Sequence, residues 1–235
     1  MSQKNSGIKF GDPRIFFEST TTAPFVSPAG VYHDAGAVVR GSAIIQLSGQ
    51  SVAVSLPSMA EMIFFQANKD LDKAASIKER AQKIALHPNG SYHLVYEDVF
   101  YRYLQLCSLG ILGLHASIEG MVYELYIRKG KEHEVKIDGK TLSFTEFTNL
   151  GFERKITSVA AQLSNKSNIY GTDLLAKARE IKRLRGIVQH WDVERREDYF
   201  INLPDNHPLK ESTRFDPSKL ARDCRLILDH YSLRQ

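Results

Sequence analysis

Cysteine is nearly absent from this chain, with Cys107 and Cys224 the only two in 235 residues. Two thiols so far apart make neither a disulfide framework nor a zinc cluster, and a reducing cytoplasm is the simplest home for such a chain. Long apolar runs are lacking as well. No stretch approaches the roughly eighteen nearly uninterrupted apolar residues that a membrane span needs. The most apolar one, Leu104 to Tyr126, is interrupted by His115, Glu119 and Glu124 and reads as a buried bundle helix. The polar start Met1-Ser2-Gln3-Lys4-Asn5-Ser6 has no apolar core of a signal peptide. Neither a HExxH motif nor a clustered Asp/Glu/His set is present, so no metal and no other cofactor is expected. The net charge of +4 is too mild to demand a nucleic-acid partner and makes the distribution of charge the informative quantity.

What remains is a hydrophobic fraction of 43% with 25% charged residues, which describes a globular chain and not a disordered one. Its β-like character lies in residues 1 to about 56, where Val38-Val39, Ala43-Ile44-Ile45 and Val52 to Leu56 sit among Gly36, Gly41 and Gly49. Pro57 suits the first turn of a helix, and the pattern is helical from Ser58 to Leu86, stopped by His87-Pro88-Asn89-Gly90. A second helical region runs from about Tyr96 to Arg128, as one helix, two, or one kinked near Gly110 or Gly113. Glu134 to Thr141 resembles a turn or small hairpin, and a helix is predicted from about Ser143 to Leu163. Thr172 is a fitting N-cap for the next helix, Asn202 to Pro208 a loop, and Asp216-Pro217 the start of the last helix. The predicted fold class is therefore mainly α. A small extended region and one long helix fill residues 1–90, and a bundle of four to five helices fills residues 91–235.

One helical segment couples reactive side chains to a defined local frame. Lys177, Arg179, Lys182, Arg183 and Arg185 stand against the single Glu180, and His190 follows Arg185 by five positions. Five residues are about 140° around a helix, so the two side chains flank the apolar stripe and do not stack. A two-fold dimer could bring both residues of both copies into one cleft. There Arg185 could hold an RNA phosphate bidentately, and His190 could move protons between the ribose 2′-hydroxyl and the leaving oxygen. The alternative is a brace: a histidine bonded to backbone carbonyls, with arginines paired to Glu180, Asp192 or Glu194.

Arg185-Gly186-Ile187-Val188-Gln189-His190 resembles the R-x4–6-H signature of the HEPN superfamily of helical domains. Leu114 to Tyr123, with Glu119 among small and apolar residues, is similar to an earlier helix of that family. The resemblance covers about residues 91–235. It implies a homodimer whose Arg–His motifs meet across the interface, and a metal-independent endoribonuclease of toxin–antitoxin or antiviral defence systems. RNA, and an antitoxin or other protein, are the partners it implies. By the same resemblance Arg185 and His190 are the catalytic candidates and Glu119 a further one. Lys182, Arg183 and Arg179 are the nucleic-acid-binding candidates from the basic cluster. Gly186 departs from the Asn, Asp or His that commonly follows the Arg, and many members are non-catalytic binding modules.

Other chemistry-capable residues read as structural. His87, His93 and His115 show no metal spacing, His33-Asp34 sits in a Gly/Ala-rich loop, and His207 punctuates a loop. Tyr92, Tyr96, Phe100, Tyr101 and Tyr103 form an aromatic run expected to be buried. Arg195-Arg196 is offset by neighbouring acids, and Arg222 and Arg225 are expected to stay solvated beside the last apolar face.

Overall fold

A computed structural model describes residues 18–27, 30–40, 42–55, 57–84, 97–129, 134–189 and 208–232. The fold is mainly α, and the chain divides into two compact units, Met1–Met62 and Ile63–Gln235. The division falls inside helix α1 (Met59–Ile84), most of which belongs to the second unit.

The first unit is built of short antiparallel pairs. β1 (Glu18–Thr20) pairs with β4 (Val38–Arg40), and β2 (Phe25–Val26) pairs with β3 (Tyr32–His33) between them. β5 (Ser42–Leu47) and β6 (Gln50–Ser55) form a hairpin closed by Ser48 and Gly49, both at positive φ (51° and 79°). Two positive-φ residues give the turn whose twist matches the strands it joins, and glycine takes that conformation without steric cost. His33 stacks on Phe25 with ring centroids 5.0 Å apart, and the Asp34 carbonyl accepts a hydrogen bond from the Thr21 hydroxyl. Both residues of the His33-Asp34 pair thus serve this local structure.

The second unit centres on α2 (Glu97–Lys129), one uninterrupted helix of 33 residues and about 50 Å. Its buried residues Leu104, Cys107, Ile111, Leu114, Ile118, Val122 and Leu125 recur every three or four positions, which puts a continuous stripe against its neighbours. By length and hydropathy α2 could cross a bilayer, yet 56% of its most apolar window is buried inside the unit. Gly110 and Gly113 do not divide it. They let it approach Leu71 and Ala67 of α1, where any side chain would collide.

The helix predicted from Ser143 to Leu163 is broken into pieces. A β-hairpin, β7 (Lys136–Ile137) with β8 (Lys140–Thr141), precedes them and adds strand outside the N-terminal region. α3 (Phe144–Thr148) starts at a complete capping box between Ser143 and Glu146 and ends at Asn149. Extended Gly151 then starts α4 (Phe152–Arg154), which runs into a π-helical turn, Lys155–Val159, and α5 (Ala160–Ser164). Asn165 closes the run in the left-handed conformation (φ 55°).

α6 (Asp173–Gln189) packs against α2 and α8 through Leu175, Ala178, Ile181 and Leu184. Thr172 precedes it; its carbonyl accepts from the Ala176 amide, while its hydroxyl donates to the Ile169 carbonyl. Pro208, expected in a loop, opens the short helix α7 (Pro208–Arg214). α8 (Pro217–Tyr231) starts as the sequence indicates: the Asp216 carboxylate accepts from the amides of Ser218 and Lys219, with Pro217 in the first turn. Leu220, Cys224, Ile227, Leu228 and Tyr231 are its buried face. Seven α-helical segments, α2 to α8, therefore stand among the described residues of 91–235, more than the four to five expected there, because short pieces replace one helix and α7 is added.

Candidate functional site: a basic niche where α2, α6 and the π-helical turn meet

Apolar spacing on α2 turns His115 and Glu119 to one side, four residues and about one turn apart. His115 is 7% exposed and its ring stacks on Phe152, centroids 4.5 Å apart and 20° from parallel. Its Nδ1 lies 3.7 Å from Glu119 Oε2, within ion-pair range but too long for a hydrogen bond. Glu119 is the more accessible of the pair, with its side chain one-third exposed.

Lys155 approaches the same carboxylate from the other side. It opens the π-helical turn, whose widened ring alters the direction in which side chains leave the helix. A lysine is almost never this buried (5% exposed) unless paired. Here its Nζ lies 3.4 Å from Glu119 Oε1, 5.0 Å above the Tyr123 ring and 5.8 Å from that of Phe147. Carboxylate and aromatic faces together replace the water that the ammonium gives up.

α6 supplies the remaining charge. Burial pushes His115 below the ordinary imidazole range; Glu119 works against that, while Arg185, Lys182 and Lys155 reinforce it. The neutral imidazole is therefore the favoured form, and the positive charges of Lys155, Lys182 and Arg185 outnumber the one carboxylate that acts on His115. Arg185 is half-buried and Lys182 exposed, and neither makes a hydrogen bond or ion pair among the described residues. A niche with excess positive charge and a half-buried guanidinium is suited to an anion, and a phosphate matches the fork of Arg185 best.

The other two basic candidates are engaged elsewhere. Arg179 Nη2 donates to Glu153 Oε2 at 2.9 Å, which holds Glu153 below the usual carboxylate range. Arg183 donates twice to Glu180 and once to Glu211, bridging α6 to α7. Of the residues marked in the sequence, Glu119 lies beside His115, and Arg185 and Lys182 bear on His115 through their charge, while Arg179 and Arg183 brace the surface. His190 lies outside the described residues, as do Asp192, Glu194, Arg195, Arg196, His87, His93, His207, Tyr92 and Tyr96.

Lys155 was missed by reading the sequence, and His115 was set aside as structural. The signal for His115 was available as its four-residue spacing from Glu119 on one helix. Nothing local marks Lys155, because its role depends on a distant helix. Two further expectations need correction. Arg225 is not solvated but lies across the Phe64 ring at 4.9 Å and pairs with Asp229. In the aromatic run, Tyr103 is buried while Tyr101 is 63% exposed. Cys107 and Cys224 are both buried free thiols, and burial raises Cys107 to about 11, which leaves it protonated and unreactive at neutral pH.

Compared with protein-family models, curated proteins and solved structures, the chain matches none.

Proposed function

We propose that this chain is an HEPN-like helical module that acts on RNA, as a metal-independent endoribonuclease working in a two-fold dimer. Arg185 is the phosphate anchor and His190 the proton carrier, with the motifs of two copies facing one cleft. The ribose 2′-oxygen attacks phosphorus, the bond to the 5′-oxygen breaks, and the proton lost by the 2′-hydroxyl is returned to that leaving oxygen. Products carry a 2′,3′-cyclic phosphate and a 5′-hydroxyl. A cytoplasmic defence role with an antitoxin partner belongs to the same proposal.

One observation carries this reading: Arg185 and Lys182 add positive potential at His115 and have no ion-pair partner among the described residues, while Arg179 and Arg183 on the same helix are paired. A second reading, a non-catalytic RNA- or protein-binding module on the same bundle, draws on those paired arginines and on Gly186, which offers no side chain beside Arg185. The test is incubation of the purified chain with a mixed RNA pool in excess EDTA, alongside Arg185→Ala and His190→Ala. Cleavage by wild type alone, leaving cyclic-phosphate ends, supports the nuclease. RNA binding without cleavage supports the module.

A further inference from the structure

The first unit has strands but no core among its described residues. No described side chain from Thr21 to Val54 is buried, and the buried apolar residues of the chain begin at Ala60. Large apolar side chains are exposed there instead, among them Phe25, Val26, Tyr32, Ile44, Ile45 and Leu47. A two-stranded hairpin by itself is marginally stable at best in water, and an apolar sheet face needs a second layer against it.

The hairpin of β5 and β6 shows which face that layer would cover. Its register sets Ile45 opposite Val52, so Leu47 and Val54 share their side, while Ile44, Gln46 and Ser51 lie on the other. On that other side the Gln46 amide donates to the Ser51 hydroxyl at 2.7 Å, a polar pair suited to water. The first side is wholly apolar at these four positions, yet Leu47 is 61% exposed. No charged residue stands between Arg40 and Glu61. Exposed strands normally carry lysines or other charges that keep copies apart, and this hairpin has none.

We infer that this face docks on the same face of a second copy, the two hairpins closing into a two-layer sandwich around Ile45, Leu47, Val52 and Val54. Three arguments select a second copy. A charged partner surface would lose its water against side chains that offer no counter-charge, so the complementary surface is uncharged as well. A pleated apolar row is matched in shape by another such row packed about 10 Å away. The same patch on both copies gives an isologous two-fold contact, which closes on itself and leaves no surface for further growth. The inference stands whether or not Arg185 binds RNA.

The experiment measures the solution mass of the full-length protein by light scattering over about 1 to 100 µM, where mass action turns monomer into dimer. Wild type is compared with Leu47→Lys, Leu47→Met, Ile44→Lys and Leu226→Lys. Wild type dimerises within that range. Leu47→Lys weakens the dimer about a hundredfold, because each copy would bury an ammonium without a partner. Leu47→Met, which keeps the volume, retains it. Ile44→Lys retains it too, although Ile44 is the more exposed at 76%, because it lies on the polar side. Leu226→Lys, at an exposed position of α8, controls for the added charge. Hydrogen exchange over residues 42–55 supplies a readout that needs no variant, since it slows as the wild-type protein is concentrated.

A monomer throughout that range overturns the inference. So does a dimer that Ile44→Lys or Leu226→Lys weakens as much as Leu47→Lys does. Hairpin amides protected equally at every concentration overturn it as well, since another segment of the same chain would then be the cover.

Discussion

Gly110 on α2 lies so close to Leu71 on α1 that a Cβ at residue 110 would fall 2.5 Å from the leucine Cγ. Leu71 is fully buried, so it has no room to retreat. Gly110→Ala should therefore cost about 1–3 kcal/mol through overpacking, against a small gain in helix propensity. Gly186, with nothing within 4 Å of an added Cβ, is the internal contrast. Gly186→Ala should stabilise by about 0.5–1 kcal/mol. Urea unfolding of the two variants checks both, and equal effects would contradict the close approach of α1 and α2.

Arg183 and Arg185 should separate stability from binding. Arg183 joins Glu180 to Glu211 across α6 and α7, but it is 48% exposed, so solvent screens much of its attraction. Arg183→Ala should lower stability by about 0.5–1 kcal/mol. Arg185→Ala, which breaks no ion pair among the described residues, should change it by less than about 0.5 kcal/mol. Thermal or urea unfolding of both variants is the measurement.

His115 gives a pH dependence whose sign is fixed. Burial lowers its folded pKa, so in mild acid the unfolded chain binds the proton first. Its contribution is complete above the ordinary imidazole value of about 6.5 and is lost as pH falls from there toward the lower folded value. Glu153 and Glu180, both held below the usual carboxylate range by hydrogen bonds from arginines, act lower. Their contributions fade only below a pH of about 4.3, as the pH moves toward their folded values. Wild-type stability should thus decline between pH 7 and 5 more steeply than that of His115→Phe, which keeps a ring on Phe152. Equal slopes would show that His115 is not held neutral.

The parts of the fold legible in the sequence are those set by local chemistry. Asp216-Pro217 specifies its cap without outside help, and the three-and-four spacing of Leu104 to Leu125 is enough to place the core stripe of α2. The continuous helix expected over 143–163 failed because apolar periodicity does not register a capping box at Ser143 or an extended Gly151. The same limit hid Lys155, since a lysine's burial is decided by the aromatic rings and carboxylate that tertiary structure brings to it. Arg185, Lys182 and Glu119 were marked by residue type and motif. Only the structure separates them from Arg179 and Arg183, because charge pairing between helices has no sequence spacing.

The claim that RNA phosphate sits at Arg185 is tested most directly by the salt dependence of RNA affinity. Each phosphate contact contributes a slope of about −0.7 on a log–log plot for single strands. Wild type should lose about that much slope in Arg185→Ala, and again in Lys182→Ala, while Arg183→Ala keeps the wild-type slope. Loss of slope in Arg183→Ala with none in Arg185→Ala would contradict the account.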